Sequence, residues 1–293
     1  MSQQLFPGFT SEFIQTERGT FYVRRSPKKD RSLLLLHGFP QSHACWSKIA
    51  PSLSEEYSVI CMDLVGYGLS DAPAGDTAHK RYSKNEMAKD CLAVMDSLSI
   101  ESFAVAGHDR GALVAVQLGL SSNRIEKLIL LDNLPCLLLW DRIASDPSFI
   151  PHWRELASPE AEALLSQEWL EKFMQGETAS GSLDDFPPAS MESYRRSWRD
   201  PDRIHAFCED YRAGAGPDVQ LEKRDYSNGC TIKVPSLVIW GEDFLGKLEE
   251  SPVSAWRRTF VPAIKGHEVP GGHFNAEEAP DQTLRAMIDF LKS

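Results

Sequence analysis

The sequence predicts an α/β protein built on a mostly parallel, doubly wound sheet with a helical segment inserted into it. Three observations support this fold class: continuous apolar runs recur along the chain, helical patterns lie between them, and the alternation stops between residues 134 and 228. Strands that alternate with helices form parallel sheets covered on both faces. Such sheets bind ligands beyond the carboxyl ends of their strands, so the fold class already predicts where a site lies.

The strands follow one another in a clear order. The stretch "EFIQTERGTFYVRR" reads as a hairpin that opens the sheet. Continuous apolar runs, typical of strands buried on both faces, then occur in "SLLLLHGFP", "YSVICMDL", "SFAVAGHD", "IEKLILLD" and "PSLVIWGE". Helical patterns separate them, in "ACWSKIAPSLSE", in "SKNEMAKDCLAVMDSL" and in the stretch after Asp109.

The interruption of this alternation predicts two domains. Residues 1–133 and 229–293 form the α/β core, and residues 134–228 form a cap of helical segments rich in Trp, Pro and charge. An insertion that follows the carboxyl end of a parallel strand lies over the ligand site, so we expect the cap to act as a lid.

Composition excludes several classes of function. The chain has 293 residues, of which 42% are hydrophobic, which is enough to bury a large core. With 31 basic and 42 acidic residues its net charge is -11, so we expect neither nucleic acid nor a membrane surface as partner. No stretch is apolar enough to span a bilayer, and the N-terminus lacks a signal-peptide pattern, so a cytoplasmic location is expected.

The six cysteines are widely spaced, and we expect them to be reduced thiols. The sequence shows no metal-ligand cluster, phosphate-binding loop or flavin fingerprint. We therefore expect no metal and no cofactor.

The segment Gly107-His108-Asp109-Arg110-Gly111 has the small-x-nucleophile-x-small form of a nucleophile elbow, with aspartate in the central position. A strand followed by a helix with an Asp cap gives a similar string, so the pentapeptide alone is a moderate signal. Its context strengthens it, because Phe39 follows the first buried run, Asp132 ends the run before the insertion, and His273 lies in "GGHF" after the last run.

Together these features resemble the α/β-hydrolase fold. An elbow with aspartate in its central position resembles that of the haloalkane dehalogenases and epoxide hydrolases, which form one branch of the fold. The resemblance implies that Asp109 is the nucleophile, that His273 is the base for the hydrolytic water, and that Asp132 orients His273. It also implies that the backbone N–H groups of Phe39 and Arg110 form the oxyanion hole. Asp243 in "WGEDF" competes for the role of Asp132, because the third acid in this fold can follow either strand.

Segments in the predicted cap resemble one particular family of this branch. "PHWRELASPE", "WRDPDRIH" and "CEDYRAGA" are similar to the fluoroacetate (haloacetate) dehalogenases. That likeness implies that His152, Trp153 and Tyr211 hold the departing halide, that Arg110 binds the substrate carboxylate, and that a homodimer is possible. One position departs from the family pattern: Leu113 stands where the family has a second carboxylate-binding arginine.

The sequence therefore predicts an enzyme that hydrolyses a 2-haloacid, such as fluoroacetate or chloroacetate, to the 2-hydroxy acid and halide through a covalent ester. The alternative is an epoxide hydrolase, in which the same aspartate opens the ring and Tyr211 with His152 protonates the alkoxide. A non-catalytic ligand receptor is a third possibility. The combination of Asp109, Asp132 and His273 speaks against a receptor, because a receptor needs no base beside a carboxylate.

Overall fold

The computed structural model describes residues 5–293. Within them, eight strands form one sheet in the order β1-β2-β4-β3-β5-β6-β7-β8. The strands are β1 (Thr10–Thr16), β2 (Gly19–Arg25), β3 (Arg31–Leu36), β4 (Tyr57–Met62), β5 (Phe103–His108), β6 (Ile125–Leu131), β7 (Ser236–Gly241) and β8 (Lys265–Val269). The predicted hairpin and the five predicted buried strands are all present.

The pairing of the strands brings several carboxyl ends to one edge of the sheet. β1 and β2 are antiparallel to each other, β2 is antiparallel to β4, and every later pair is parallel. Leu36 pairs with Gly107, and Leu131 pairs with both His108 and Ile239. The loops that follow β3, β5, β6 and β7 therefore begin side by side, which is where a parallel sheet binds its ligand.

Helices flank this sheet and form the cap. They are α1 (Ala50–Leu53), α2 (Lys84–Ser97), α3 (Arg110–Ser121), α4 (Cys136–Ser145), α5 (His152–Leu156), α6 (Gln167–Glu177), α7 (Pro188–Trp198), α8 (Pro201–Ala213), α9 (Val219–Ser227), α10 (Pro252–Arg257), α11 (Asn275–Glu278) and α12 (Pro280–Lys292). None of the helices in the described residues is both long and apolar enough to cross a membrane.

The helical pattern in "ACWSKIAPSLSE" gives less helix than predicted. It forms a 3-10 turn, His43–Trp46, and then the four-residue helix α1. Pro51 explains the break, because proline lacks an N–H donor and is tolerated only in the first turn of a helix.

Residues 132–235, between β6 and β7, contain the six helices α4 to α9 and no strand. α7 and α8 are separated at Asp200, whose side chain caps α8 and is followed by Pro201 in the first turn. α8 then continues through a π-helical turn, Gly214–Asp218, into α9. The cap is thus a layer of short helices.

Buried charges connect α8 of the cap to the core. Lys84, the first residue of α2, donates to the carboxylates of Asp210 and Asp218, the latter at 3.2 Å. The Tyr67 hydroxyl donates to Asp210 at 2.7 Å. Removing one member of such a cluster leaves an uncompensated buried charge, so the cluster fixes α8, and with it Tyr211, over the sheet.

Candidate active site

Asp109 lies in the tight turn between β5 and α3, with φ 50° and ψ -117°. A positive φ is unfavourable for any residue with a Cβ, so the surrounding structure must impose it. The neighbouring glycines allow the close approach: a side chain at Gly111 would run into the backbone oxygen of His37, and one at Gly107 into the backbone of Gly111. The turn directs the Asp109 carboxylate into the cavity beneath the cap.

The two carboxylate oxygens of Asp109 have different surroundings. The Phe39 N–H donates to Oδ2 at 2.8 Å, whereas Oδ1 lies 3.9 Å from Nε2 of His273. The Asn133 side chain donates to the Asp109 carbonyl at 2.6 Å and braces the turn. One oxygen is therefore held by a backbone donor, and the other faces the cavity and the imidazole.

Asp132, and not Asp243, contacts His273. Nδ1 of His273 lies 2.6 Å from Oδ2 of Asp132, whose other oxygen accepts the Gly241 N–H at 2.9 Å. Asp243 instead pairs with Lys247 at 3.2 Å, with both side chains about half exposed or more. The structure therefore brings Asp109, His273 and Asp132 together in chain-distant loops at one edge of the sheet.

Charge governs the protonation of His273. Burial alone lowers its pKa, but the hydrogen bond and charge of Asp132, together with the charge of Asp109, raise that pKa to about 9. In the resting enzyme the imidazole is therefore protonated at neutral pH. Loss of the Asp109 charge would lower this pKa, so a larger fraction of the imidazole would be neutral and able to accept a proton.

The cavity beneath the cap has a volume of about 640 Å³, including its mouth. Asp109, Asp132 and His273 line its floor, and the cap supplies mostly apolar and aromatic walls. The wall residues include Leu139, Phe149, Ile150, His152, Trp153, Phe173, Glu177 and Tyr211. Such a cavity suits a small and largely apolar molecule.

The cap residues His152, Trp153 and Tyr211 gather in this wall. The ring centroids of Trp153 and Tyr211 are 5.8 Å apart, and those of His152 and Tyr211 are 6.0 Å apart. Burial lowers the pKa of His152 to about 3, so its imidazole is neutral. Each side chain offers an N–H or O–H group, and together they can stabilise an anion in the cavity.

Arg110 is placed differently from the expectation drawn from the sequence. Its side chain is fully buried, does not line the cavity, and binds Asp210 on α8 through an Nη2–Oδ1 contact of 2.7 Å. The guanidinium lies behind the rings of Trp153 and Tyr211, at 4.7 and 4.4 Å from their centroids. Because a buried cation needs a partner, Asp210 takes the place that a substrate carboxylate was expected to fill.

The cavity is consequently poor in positive charge. Leu113, at the position of the family's second arginine, is buried and apolar. Among the residues of the described chain that line the cavity there is no Lys or Arg. Likewise, no group of three or more His, Cys, Asp or Glu within residues 5–293 is arranged to hold a metal ion.

Two residues of this region were not predicted as site residues. Asp210 lies in the "CEDYRAGA" stretch, but nothing in the sequence indicated that it pairs with an arginine 100 positions away. Glu177, at the end of α6, lines the cavity, and its backbone oxygen accepts the His273 N–H at 2.9 Å. A glutamate at a helix end gives no sequence signal for such a role.

Comparison with known proteins shows the family of this chain. The family model described as alpha/beta hydrolase fold matches residues 31–280. The chain belongs to this family. Together with its dehalogenase and epoxide hydrolase relatives, this membership identifies the chain as a hydrolase.

Among its relatives, the fluoroacetate dehalogenase of Burkholderia sp. is 35% identical over 268 residues, which cover 89% of this chain and 86% of the relative. The soluble epoxide hydrolase of Corynebacterium sp. (strain C12) is 27% identical, with 88% and 89% of the two chains covered. A solved structure from Pseudomonas aeruginosa, described as a candidate epoxide hydrolase, has a TM-score of 0.90 at 35% identity and covers 99% and 98% of the two chains.

Replacing Asp132 by Asn tests the electrostatic arrangement. The Asp132→Asn variant removes the charge of Asp132 and weakens its hydrogen bond to His273, so the pKa of His273 should fall from about 9. Nitrogen-15 NMR of the histidine ring measures this directly. Asp243→Asn is the matched control and should leave the titration unchanged; a larger effect of Asp243→Asn would reverse the assignment of the two acids.

Proposed function

We propose that this hydrolase cleaves the carbon–halogen bond of a small 2-halo compound and that Asp109 is its nucleophile. One observation carries the proposal: one carboxylate oxygen of Asp109 accepts the Phe39 N–H, and the other faces the cavity and His273. The wall of that cavity holds three neutral hydrogen-bond donors. Fluoroacetate and chloroacetate, the substrates expected from the sequence, are the first compounds to examine. The products are the 2-hydroxy compound and halide.

In the first step, Oδ1 of Asp109 attacks the sp³ carbon that bears the halogen. A carbon–oxygen bond forms, the carbon–halogen bond breaks, and the halide leaves with the bonding electron pair. His152, Trp153 and Tyr211 donate to the departing anion, and this matters most for fluoride, which is a poor leaving group. Arg110 strengthens two of these donors from behind their rings. A cation stacked on an aromatic ring withdraws electron density, so the N–H of Trp153 and the O–H of Tyr211 become stronger hydrogen-bond donors.

In the second step, water attacks the carbonyl carbon of the ester. Esterification has removed the charge of Asp109, so the pKa of His273 falls and its imidazolium releases a proton to solvent. The neutral Nε2 then accepts the proton of the attacking water. The negative charge develops on Oδ2, which the Phe39 N–H already holds at 2.8 Å. The tetrahedral intermediate collapses, and the alcohol leaves with a proton from His273. The Asp109 carboxyl group then passes its remaining proton to His273, which restores the carboxylate and the imidazolium.

Epoxide hydrolysis is the second candidate, and a specific observation favours it. Arg110 is neutralised by Asp210, so among the described residues no Lys or Arg lines the cavity to bind a carboxylate. A neutral epoxide needs none. The same attack by Asp109 would open the ring, with the Tyr211 hydroxyl supplying the proton to the alkoxide.

Trapping the ester tests the proposed nucleophile. The His273→Gln variant lacks the base of the second step, so it should accumulate an adduct of the substrate's organic group on Asp109. Intact-mass measurement followed by peptide mapping locates the adduct. His267→Gln, at an exposed position on β8, is the matched control and should turn over without accumulation; an adduct on another residue would contradict the proposal.

The role of the cap donors distinguishes the two candidate reactions. Tyr211→Phe removes one donor to the halide, so kcat/KM should fall by about 10- to 100-fold for a fluoro compound and by less for its bromo analogue, which leaves more easily. Halide release measures this, with Tyr226→Phe, at an exposed position, as the matched control. Equal losses for both halogens would contradict a halide site, and diol formation from styrene oxide without halide release would favour the epoxide reaction.

A further inference from the structure

Glu177 is an acidic residue in the wall of the cavity that the reaction scheme does not use. It ends α6 and lines the same cavity as Asp109 and His273. Its side chain is partly buried, and within residues 5–293 no side-chain hydrogen bond engages its carboxyl group. A carboxyl group without a protein partner, facing a cavity, is available to a ligand.

The position of Glu177 is fixed through its backbone. Its carbonyl oxygen accepts the His273 N–H at 2.9 Å. Two residues further on, the Ala179 N–H donates to the Glu278 carboxylate at 2.8 Å, and the same carboxylate oxygen accepts the Gly272 N–H at 2.8 Å. These bonds fasten the end of α6 to the loop that carries His273, so the Glu177 backbone is held beside that loop and its side chain lines the same cavity.

The charges that line the cavity are mostly negative. Its acids are Asp109, Asp132 and Glu177, and the only cationic group among the lining residues of the described chain is protonated His273. Burial raises the pKa of Glu177, with His273 lowering it and the two aspartates raising it. A carboxylate substrate would add a further negative charge to this poorly hydrated space, whereas an N–H donor would satisfy the Glu177 carboxyl group.

We infer that Glu177 makes the cavity selective for uncharged substrates that carry an N–H donor, such as 2-haloamides, over the corresponding 2-haloacids. This inference takes its substrates from the proposed carbon–halogen hydrolysis. It assigns Glu177 to recognition of the substrate, while Asp109, His273 and Asp132 carry out the bond changes. The selectivity for haloamides follows from the acidic wall together with the engagement of Arg110 by Asp210.

Chloroacetamide and chloroacetate test the inference, because they are nearly equal in size and differ in charge. Chloride release by the wild-type enzyme should give a kcat/KM at least tenfold higher for the amide than for the acid. In Glu177→Gln this ratio should fall at least tenfold, mainly through the acid becoming a better substrate. Glu168→Gln, an exposed position on the same helix, is the matched control and should keep the wild-type ratio.

Binding of unreactive analogues separates this inference from the proposed reaction. Phenylacetamide should bind the wild-type enzyme more tightly than phenylacetate, as followed by tryptophan fluorescence, and Glu177→Gln should reduce that difference at least tenfold. If the binding preference holds and no chloride is released, the proposed reaction is wrong and the selectivity stands. A wild-type preference for the acid, or a ratio that Glu177→Gln leaves unchanged in both measurements, would overturn the inference.

Discussion

The turn at Asp109 is the constraint on which the rest of the site depends. A φ of 50° is unfavourable for Asp109, and the close backbone contacts that Gly107 and Gly111 allow hold β5 and α3 where the turn must adopt it. That geometry turns one carboxylate oxygen to the Phe39 N–H and leaves the other free. The same turn thus sets the positions of the proposed nucleophile and of the proposed oxyanion.

The cap completes the site by supplying groups that the core lacks. Asp210 and Tyr211 are adjacent on α8, so the residue that neutralises Arg110 also places the Tyr211 hydroxyl in the cavity wall. Lys84 anchors the same carboxylate from the core side. Buried charges of this kind add little net stability compared with apolar packing, but they hold one arrangement against others. The outcome is a cavity with neutral donors on one wall and acids on the floor.

Much of this organisation could be predicted from the sequence, because it depends on local pattern. Continuous apolar runs identify β3 to β7, and the glycines around Asp109 identify the turn. β8 could not be predicted in the same way, since four of its five residues are exposed and it has no apolar run. The pairing of Arg110 with Asp210 also could not be predicted, because an ion pair between residues 100 positions apart depends on how the cap packs on the core. The position of Glu177 in the cavity wall could not be predicted for the same reason.

The central claim is that Asp109 becomes covalently esterified to the substrate, and oxygen labelling tests it most directly. A single turnover in water enriched in oxygen-18, with enzyme in excess over the halogenated substrate, should give a product that carries unlabelled oxygen. The label should appear in the Asp109 carboxylate, because water attacks the ester at its carbonyl carbon. A first product labelled from solvent, together with an unlabelled protein, would contradict the account.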